Sequence, residues 1–143
     1  MKAPREAIYQ ALFELGCQAS GLVTKSRRAR HWGQVPPSEQ PAFFQVQRYE
    51  EEIVKGPNMP TKWEFHVEWM FYTNSGGDLT AAPMTQMNPL LDYVDALFPT
   101  VPGRRITLGG VVFEARINGR IQTDEGMLGP QSVAIVPLRI VTV

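Results

Sequence analysis

The sequence predicts an α+β fold. A mixed, mostly antiparallel β-sheet carries two α-helices packed on one face, in the order α-β-β-β-α-β-β. Three observations predict it. The segment Lys62 to Tyr72 alternates strictly: Trp63, Phe65, Val67, Trp69 and Phe71 share one face, and Glu64, His66, Glu68, Met70 and Tyr72 the other. That is strand period two, with aromatic and β-branched residues inward. Two segments, near residues 4–16 and 88–98, repeat their apolar residues at helical spacing instead. Gly, Pro and Asn clusters cut the remainder into short apolar runs. A chain of 143 residues can bury roughly 70% of the surface its unfolded form exposes. It reads as one domain spanning residues 1–143.

The first helix has Pro4 in its opening turn, where a missing N–H costs nothing. Ile8, Ala11, Leu12 and Leu15 form its buried stripe, Glu6 suits the N-terminal dipole, and Gly16 is the expected stop. Leu22 to Val35 reads as a strand or an extended arm. Alternation would place Arg28, Arg30 and Trp32 on one side, and Arg27, Ala29 and His31 on the other. Pro36-Pro37-Ser38-Glu39-Gln40-Pro41 breaks any ladder, because proline lacks the donor. Ala42 to Tyr49 is the next strand. It joins the Lys62–Tyr72 strand in a long hairpin over residues 42–72, through the turn Lys55-Gly56-Pro57-Asn58-Met59-Pro60. Were apolar residues such as Phe43, Tyr72 or Val141 exposed, the second face of the sheet would be covered by a neighbour.

Asn88-Pro89 reads as an N-cap followed by proline at the first helical position. Leu90, Leu91, Val94, Leu97 and Phe98 mark the buried stripe of this second helix, which Pro99 and Pro102-Gly103 close. Ile106-Thr107-Leu108 and the alternating Val111–Ile117 return to strand. Asn118-Gly119 is a tight-turn dipeptide, either a hairpin tip or a bulge in one long strand. Asp124-Glu125-Gly126 and Leu128-Gly129-Pro130 read as a turn. Ser132 to Val143 is the last strand, in which Pro137 argues for an edge position or a bulge.

Composition excludes several function classes. Fourteen Lys+Arg balance fourteen Asp+Glu, whereas nucleic-acid modules rely on excess positive charge. One cysteine, Cys17, rules out an intramolecular disulfide framework and any multi-cysteine zinc site. No apolar run approaches the ~20 residues of a membrane span. The opening Met1–Glu6 reaches Glu14 before an apolar stretch can form, so it does not read as a signal peptide. The expectation is a soluble, intracellular domain with no membrane partner.

Signatures of catalysis are missing. The chain has no glycine-rich nucleotide loop, no nucleophile elbow and no HExxH. Glu64, His66 and Glu68 share one strand face, but three such residues spread over about 13 Å, too wide for one metal ion. Cys17 would need a histidine close in space to act as a nucleophile. Asp124-Glu125 reads as a solvated turn rather than an acid–base pair. The expectation is a non-enzyme with no cofactor and no metal.

The charge layout is more informative. Residues 1–40 carry six basic and three acidic groups, residues 41–100 three and eight, residues 101–143 five and three. The neutral total therefore hides a polarised chain. A basic patch at Lys25–Arg30 and an acidic one at Glu50-Glu51-Glu52 could join identical subunits head to tail, or each could simply face solvent.

Several blocks, spread over most of the chain, resemble tail terminator proteins of long-tailed bacteriophages and related gene-transfer particles. They are Ile8-Tyr9-Gln10-Ala11-Leu12-Phe13, Ser26-Arg27-Arg28-Ala29-Arg30-His31-Trp32, Val35–Ala42, Trp63-Glu64-Phe65 and Asn88-Pro89-Leu90-Leu91. The C-terminal block is Asp124-Glu125-Gly126, Leu128-Gly129, Gln131 and Ala134-Ile135-Val136-Pro137-Leu138. Order and extent carry the resemblance, since no single block is a mechanistic motif. It implies α+β subunits with a sheet and two helices, assembled as a homo-hexameric ring on the finished end of the tail tube. Such a ring stops tube polymerisation and presents the surface that joins the head–tail connector or neck protein. DNA passes through its channel without specific binding. The location implied is the tail–neck junction of the virion, and the host cytoplasm during assembly.

The resemblance supplies no residue list, so the candidate partner-binding residues come from residue chemistry. Arg27, Arg28, Arg30, His31 and Trp32 are the first choice for an intersubunit or tube-facing surface, because arginine and tryptophan are enriched at binding hot spots. Glu50, Glu51 and Glu52 at the hairpin tip are the second, contacting a neighbour or lining the lumen. The loop Gly76–Gln86 is the third. The competing readings are a neck or head-completion protein on the portal side, a small cytoplasmic enzyme using Cys17 or His66, and a DNA-binding module.

Overall fold

A computed structural model describes residues 3–53, 56–99 and 101–143. Lys55 of the expected turn lies outside the described residues. The elements are α1 (Arg5–Cys17), β1 (Thr24–Ser26), β2 (Ala42–Glu52), β3 (Trp63–Asn74), α2 (Met87–Leu97), β4 (Glu114–Ile117), β5 (Gln122–Leu128) and β6 (Gln131–Val141). Single 3₁₀ turns occupy Trp32–Gln34, Pro37–Glu39 and Pro83–Thr85. The six strands form one sheet in the order β1-β2-β3-β6-β4, with β5 also paired to β6. Only the β1–β2 pair is parallel. This is the α+β fold, with a mostly antiparallel mixed sheet.

Both helices lie on one face of the sheet. Ile8, Tyr9 and Leu12 of α1 and Met87, Leu90 and Val94 of α2 are buried with Phe43, Phe65, Val67, Trp69, Phe71, Val136, Leu138 and Ile140. Aromatic contacts organise this core. Tyr9 stacks on Phe65 at 5.1 Å, Phe13 on Phe43 at 5.6 Å, and Phe43 meets Trp69 edge-on at 5.3 Å. Such pairs contribute about 0.5–1.5 kcal/mol beyond area burial. Gln45 is the polar exception in the core. Its Nε2 donates to the Tyr9 carbonyl and its Oε1 accepts from Trp69 Nε1, both at 2.9 Å, so neither end is left unsatisfied.

Several boundaries differ from the sequence reading, each for a physical reason. Gly16 does not stop α1. It is buried inside the helix, where an added Cβ would be driven into the Phe43 ring. Asn88 does not cap α2, which begins at Met87 because that side chain is buried in the core. Leu22–Val35, read as a strand or an extended arm, is a short strand at Thr24–Ser26 followed by an arm. Ile106–Leu108 lies outside any strand, although the Ile106 carbonyl accepts from Ala115 N on the flank of β4. Asp124, Glu125 and Gly126 belong to β5 rather than to a turn, and the hairpin turn is Gly129-Pro130. Gly129 sits at φ 71°, the left-handed region a tight β-hairpin needs at its first turn position.

Pro137 does not lie on an edge, since β6 pairs β3 on one side and β4 and β5 on the other. Those two strands follow one another along the same edge and never pair with each other. Asn118–Ile121 bulges between them, and Asn118 N donates to the Pro137 carbonyl at 2.9 Å. In an antiparallel ladder one residue's N–H and C=O point the same way. The donor that Pro137 lacks therefore faces this bulge. Asn118-Gly119 is an interruption in the edge, not a hairpin tip.

The second face is covered from within. Val35, Ala42, Phe44 and Tyr72 form a small core against which Trp32, Met70 and Val133 pack. Phe43 and Tyr72 are both buried, so neither supplies the exposed apolar surface that would call for a neighbour there.

Candidate functional site

The arm from Arg27 to Pro41 straps the second face, and its residues are held by contacts that the sequence does not display. Arg27 pairs with Glu6 at 2.5 Å and also donates to Gln10 and Gln47. Arg30 pairs with Glu39 at 3.2 Å and stands over the Phe44 ring, while its carbonyl accepts from Tyr72 Oη at 2.8 Å. His31 Nδ1 accepts from Gly33 N at 3.0 Å, and its ring packs on Trp32. A buried amide pair anchors the far end. Gln40 Nε2 donates to Gln131 Oε1 at 2.9 Å and Gln131 Nε2 returns to Gln40 Oε1 at 3.1 Å. Arg28 differs from its neighbours: it is exposed, and among the described residues no ion pair or side-chain hydrogen bond engages its guanidinium.

The acidic candidates also divide. Glu50 faces α1, where it accepts from Arg5 Nε at 2.7 Å and Tyr9 Oη at 2.6 Å. Burial and that carboxylate together push the Tyr9 phenol above its usual range. Glu51 and Glu52 make no ion pair among the described residues. Trp32 packs near the start of β2, and ten residues at ~3.3 Å rise separate Ala42 there from Glu52 by roughly 33 Å. Arg27 and Arg28 lie closer to the glutamates, beside Gln45, Val46 and Gln47 partway along β2. Arg27 and Glu50 are held by the adjacent residues Glu6 and Arg5 of α1.

Between them, the second face is a lattice of alternating charge. Arg48 grips Glu68 through two bonds of 2.9 and 3.2 Å. Glu64 Oε1 lies 2.8 Å from His66 Nε2 and 2.9 Å from Arg139 Nε, the latter at ion-pair distance without hydrogen-bond alignment. His66 is thus spoken for by Glu64 and by the Tyr49 ring stacked on it at 4.2 Å.

Sequence reasoning missed two features. The first is a set of free arginines at the β4/β5 edge. Arg104, Arg116 and Arg120 are exposed and without acidic partners among the described residues, and Arg105 lies over the Phe113 ring at 4.1 Å. Their positive charge was visible in the sequence; their lack of partners was not. The second is a groove of about 360 Å³ on the second face, walled by Trp32 and by Gln122, Thr123 and Asp124 of β5, with Val133 and Ile135 as its floor. Asp124, which lines it, has its Oδ1 buried with no hydrogen-bond partner among the described residues. The loop Gly76–Gln86 adds Leu79, fully exposed, to this end of the sheet.

Cys17 is half-buried, and burial pushes its thiol above the usual range, which disfavours the reactive thiolate. Among the described residues no group of three or more His, Cys, Asp or Glu side chains is placed to hold a metal ion. No described helix is long and apolar enough to cross a membrane. Fold and surface together define an α+β sheet domain whose second face is strapped by its own arm. No protein-family model matches the chain, and no curated protein matches its sequence.

Proposed function

We propose that this chain is a structural subunit of a phage tail, forming a ring, hexameric in the family it resembles, that caps the tail tube and joins it to the neck. One observation supports this reading above the others: the far end of β2 and the opposite edge of the sheet carry unlike charges with no ion-pair partners among the described residues. Beyond Phe44 no strand among the described residues covers the outer side of β2, so its far end is an edge bearing Glu51 and Glu52. The opposite edge, β4 and β5, bears Arg104, Arg116 and Arg120. Head-to-tail repetition of one chain brings such edges together, and a closing rotation makes a ring. Unlike charges also guide register and suppress wrong pairings. The Lys25–Arg30 cluster contributes less than its charge suggests, because Arg27 and Arg30 already hold internal carboxylates.

On this reading the ring stops growth of the tube protein, offers its other face to the connector, and lets DNA pass through its hole. It sits at the tail–neck junction of the virion and performs no chemistry. Deleting the gene from the genome that encodes it and imaging the lysate by negative-stain electron microscopy tests the proposal. Filled heads beside overlong, headless tails are expected. Unattached tails of normal length would assign the chain to the neck instead, and intact infectious particles would refute both assignments.

A further inference from the structure

The Trp32–Asp124 groove is lined by a half-buried carboxylate, one oxygen of which, Oδ1, is buried and has no hydrogen-bond partner among the described residues. A buried acceptor without a donor is costly, more so when it belongs to a charged group, and asks for an explanation. The groove's other walls narrow the answer. Val133 and Ile135 give an apolar floor suited to a methylene stem. Trp32, half-buried, gives an aromatic wall that can receive a planar cation. Gln122 adds an amide beside the carboxylate. An aromatic wall, an apolar floor and an orphaned carboxylate make a receptor for a guanidinium.

The geometry points to an arginine of a second copy of this chain as the occupant, with Arg28 as that residue. This inference rests on the ring reading and supplies one of its contacts. Arg28 is exposed and its guanidinium has no partner among the described residues. It follows β1, which closes one edge of the sheet, whereas Asp124 lies on β5 at the other edge. Opposite edges are what head-to-tail repetition joins. The charge signs also agree along both edges. One edge carries Arg28 and, farther along, Glu51 and Glu52; the other carries Asp124 and, farther along, Arg120 and Arg116. A nucleic-acid phosphate is disfavoured at the groove by the same carboxylate.

Two measurements on the full chain test this. The first uses the Arg28→Ala protein, whose groove has no arginine to receive, and N-acetyl-arginine amide as the probe. The readout is the indole N–H resonance of Trp32, assigned with Trp32→Phe. A saturable shift is expected for Trp32 and not for Trp63 or Trp69. N-acetyl-glutamine amide should produce none, and adding Asp124→Asn should weaken the arginine response roughly ten- to a hundred-fold. Absence of a saturable shift, or equal shifts with and without Asp124→Asn, means the Asp124 carboxylate receives no guanidinium and overturns the receptor. The second places p-benzoyl-phenylalanine at position 28 and irradiates the concentrated protein. Covalent dimers joined to the peptide containing Gln122–Asp124 are expected; monomers only, or attachment elsewhere, exclude a second copy as the source. The first measurement needs no assembly, so its failure counts against the groove alone, whereas failure of the ring reading appears in the gene deletion.

Discussion

Gln45 is the residue whose replacement tests the description of the core most sharply. It is 2% exposed, and it spans α1 and β3 by bonding the Tyr9 carbonyl and the Trp69 indole. Gln45→Leu keeps the volume and removes both bonds. The Tyr9 carbonyl lies within α1 and keeps its helical partner, so that end loses about 0.5–1.5 kcal/mol. The Trp69 N–H, fully buried, is left with no acceptor, at about 1–3 kcal/mol. Leucine's extra apolar burial offsets roughly 1 kcal/mol. The net loss is about 2 kcal/mol, or about 8 °C in Tm for a domain of this length. Urea unfolding followed by tryptophan fluorescence and circular dichroism measures it. The same change in a Trp69→Phe background has no indole to strand, so its cost should fall by about 1–2 kcal/mol. A Gln45→Leu protein within 0.5 kcal/mol of the parent, or an equal penalty in both backgrounds, would refute the reasoning.

Three further outcomes follow from the same structure. The Tyr9 phenol is raised by burial and by the Glu50 hydrogen bond, so the native state holds it neutral while the unfolded chain ionises near pH 10. Stability from this group is therefore complete below about pH 10 and is lost as pH rises further; thermal melts from pH 8 to 11 should show the fall, shallower in Tyr9→Phe. Gln40→Ala breaks the buried amide pair with Gln131, so hydrogen exchange across residues 30–41 should quicken well before β3 and β6 lose protection. Arg116→Glu with Arg120→Glu alters two exposed groups, and should leave Tm within about 2 °C while abolishing complementation of the gene deletion.

The parts of the fold legible in the sequence were those with a strong period. β3 announced itself because Trp63, Phe65, Val67, Trp69 and Phe71 all face one core, and α2 because Leu90, Val94 and Phe98 do the same. What stayed hidden depended on residues distant in the chain. Arg27 to Trp32 alternates like a strand, yet Glu6, Glu39 and Tyr72 hold it as a strap. Pro137 read as either an edge residue or a bulge; the choice lay with the neighbouring edge, where the Asn118–Ile121 interruption faces it. The candidate surface was half legible. Trp32 and Arg28 remain in it, while Arg27, Arg30 and Glu50 turned out to be tied to partners within the chain. Asp124 was missed because a carboxylate beside Gly126 resembles a solvated turn, and only the packing of Trp32 over β6 closes a groove around it.

The proposed capping role can be tested on the tubes themselves. Overlong tails from the deletion strain would be incubated with purified protein carrying a gold label at its C-terminus, where Val143 is exposed, and imaged by electron microscopy. The ring reading predicts label at one end of each tube and at no point along its wall, with capped tubes regaining the ability to bind filled heads. Label scattered along the tubes, or tubes left bare at both ends, would contradict it.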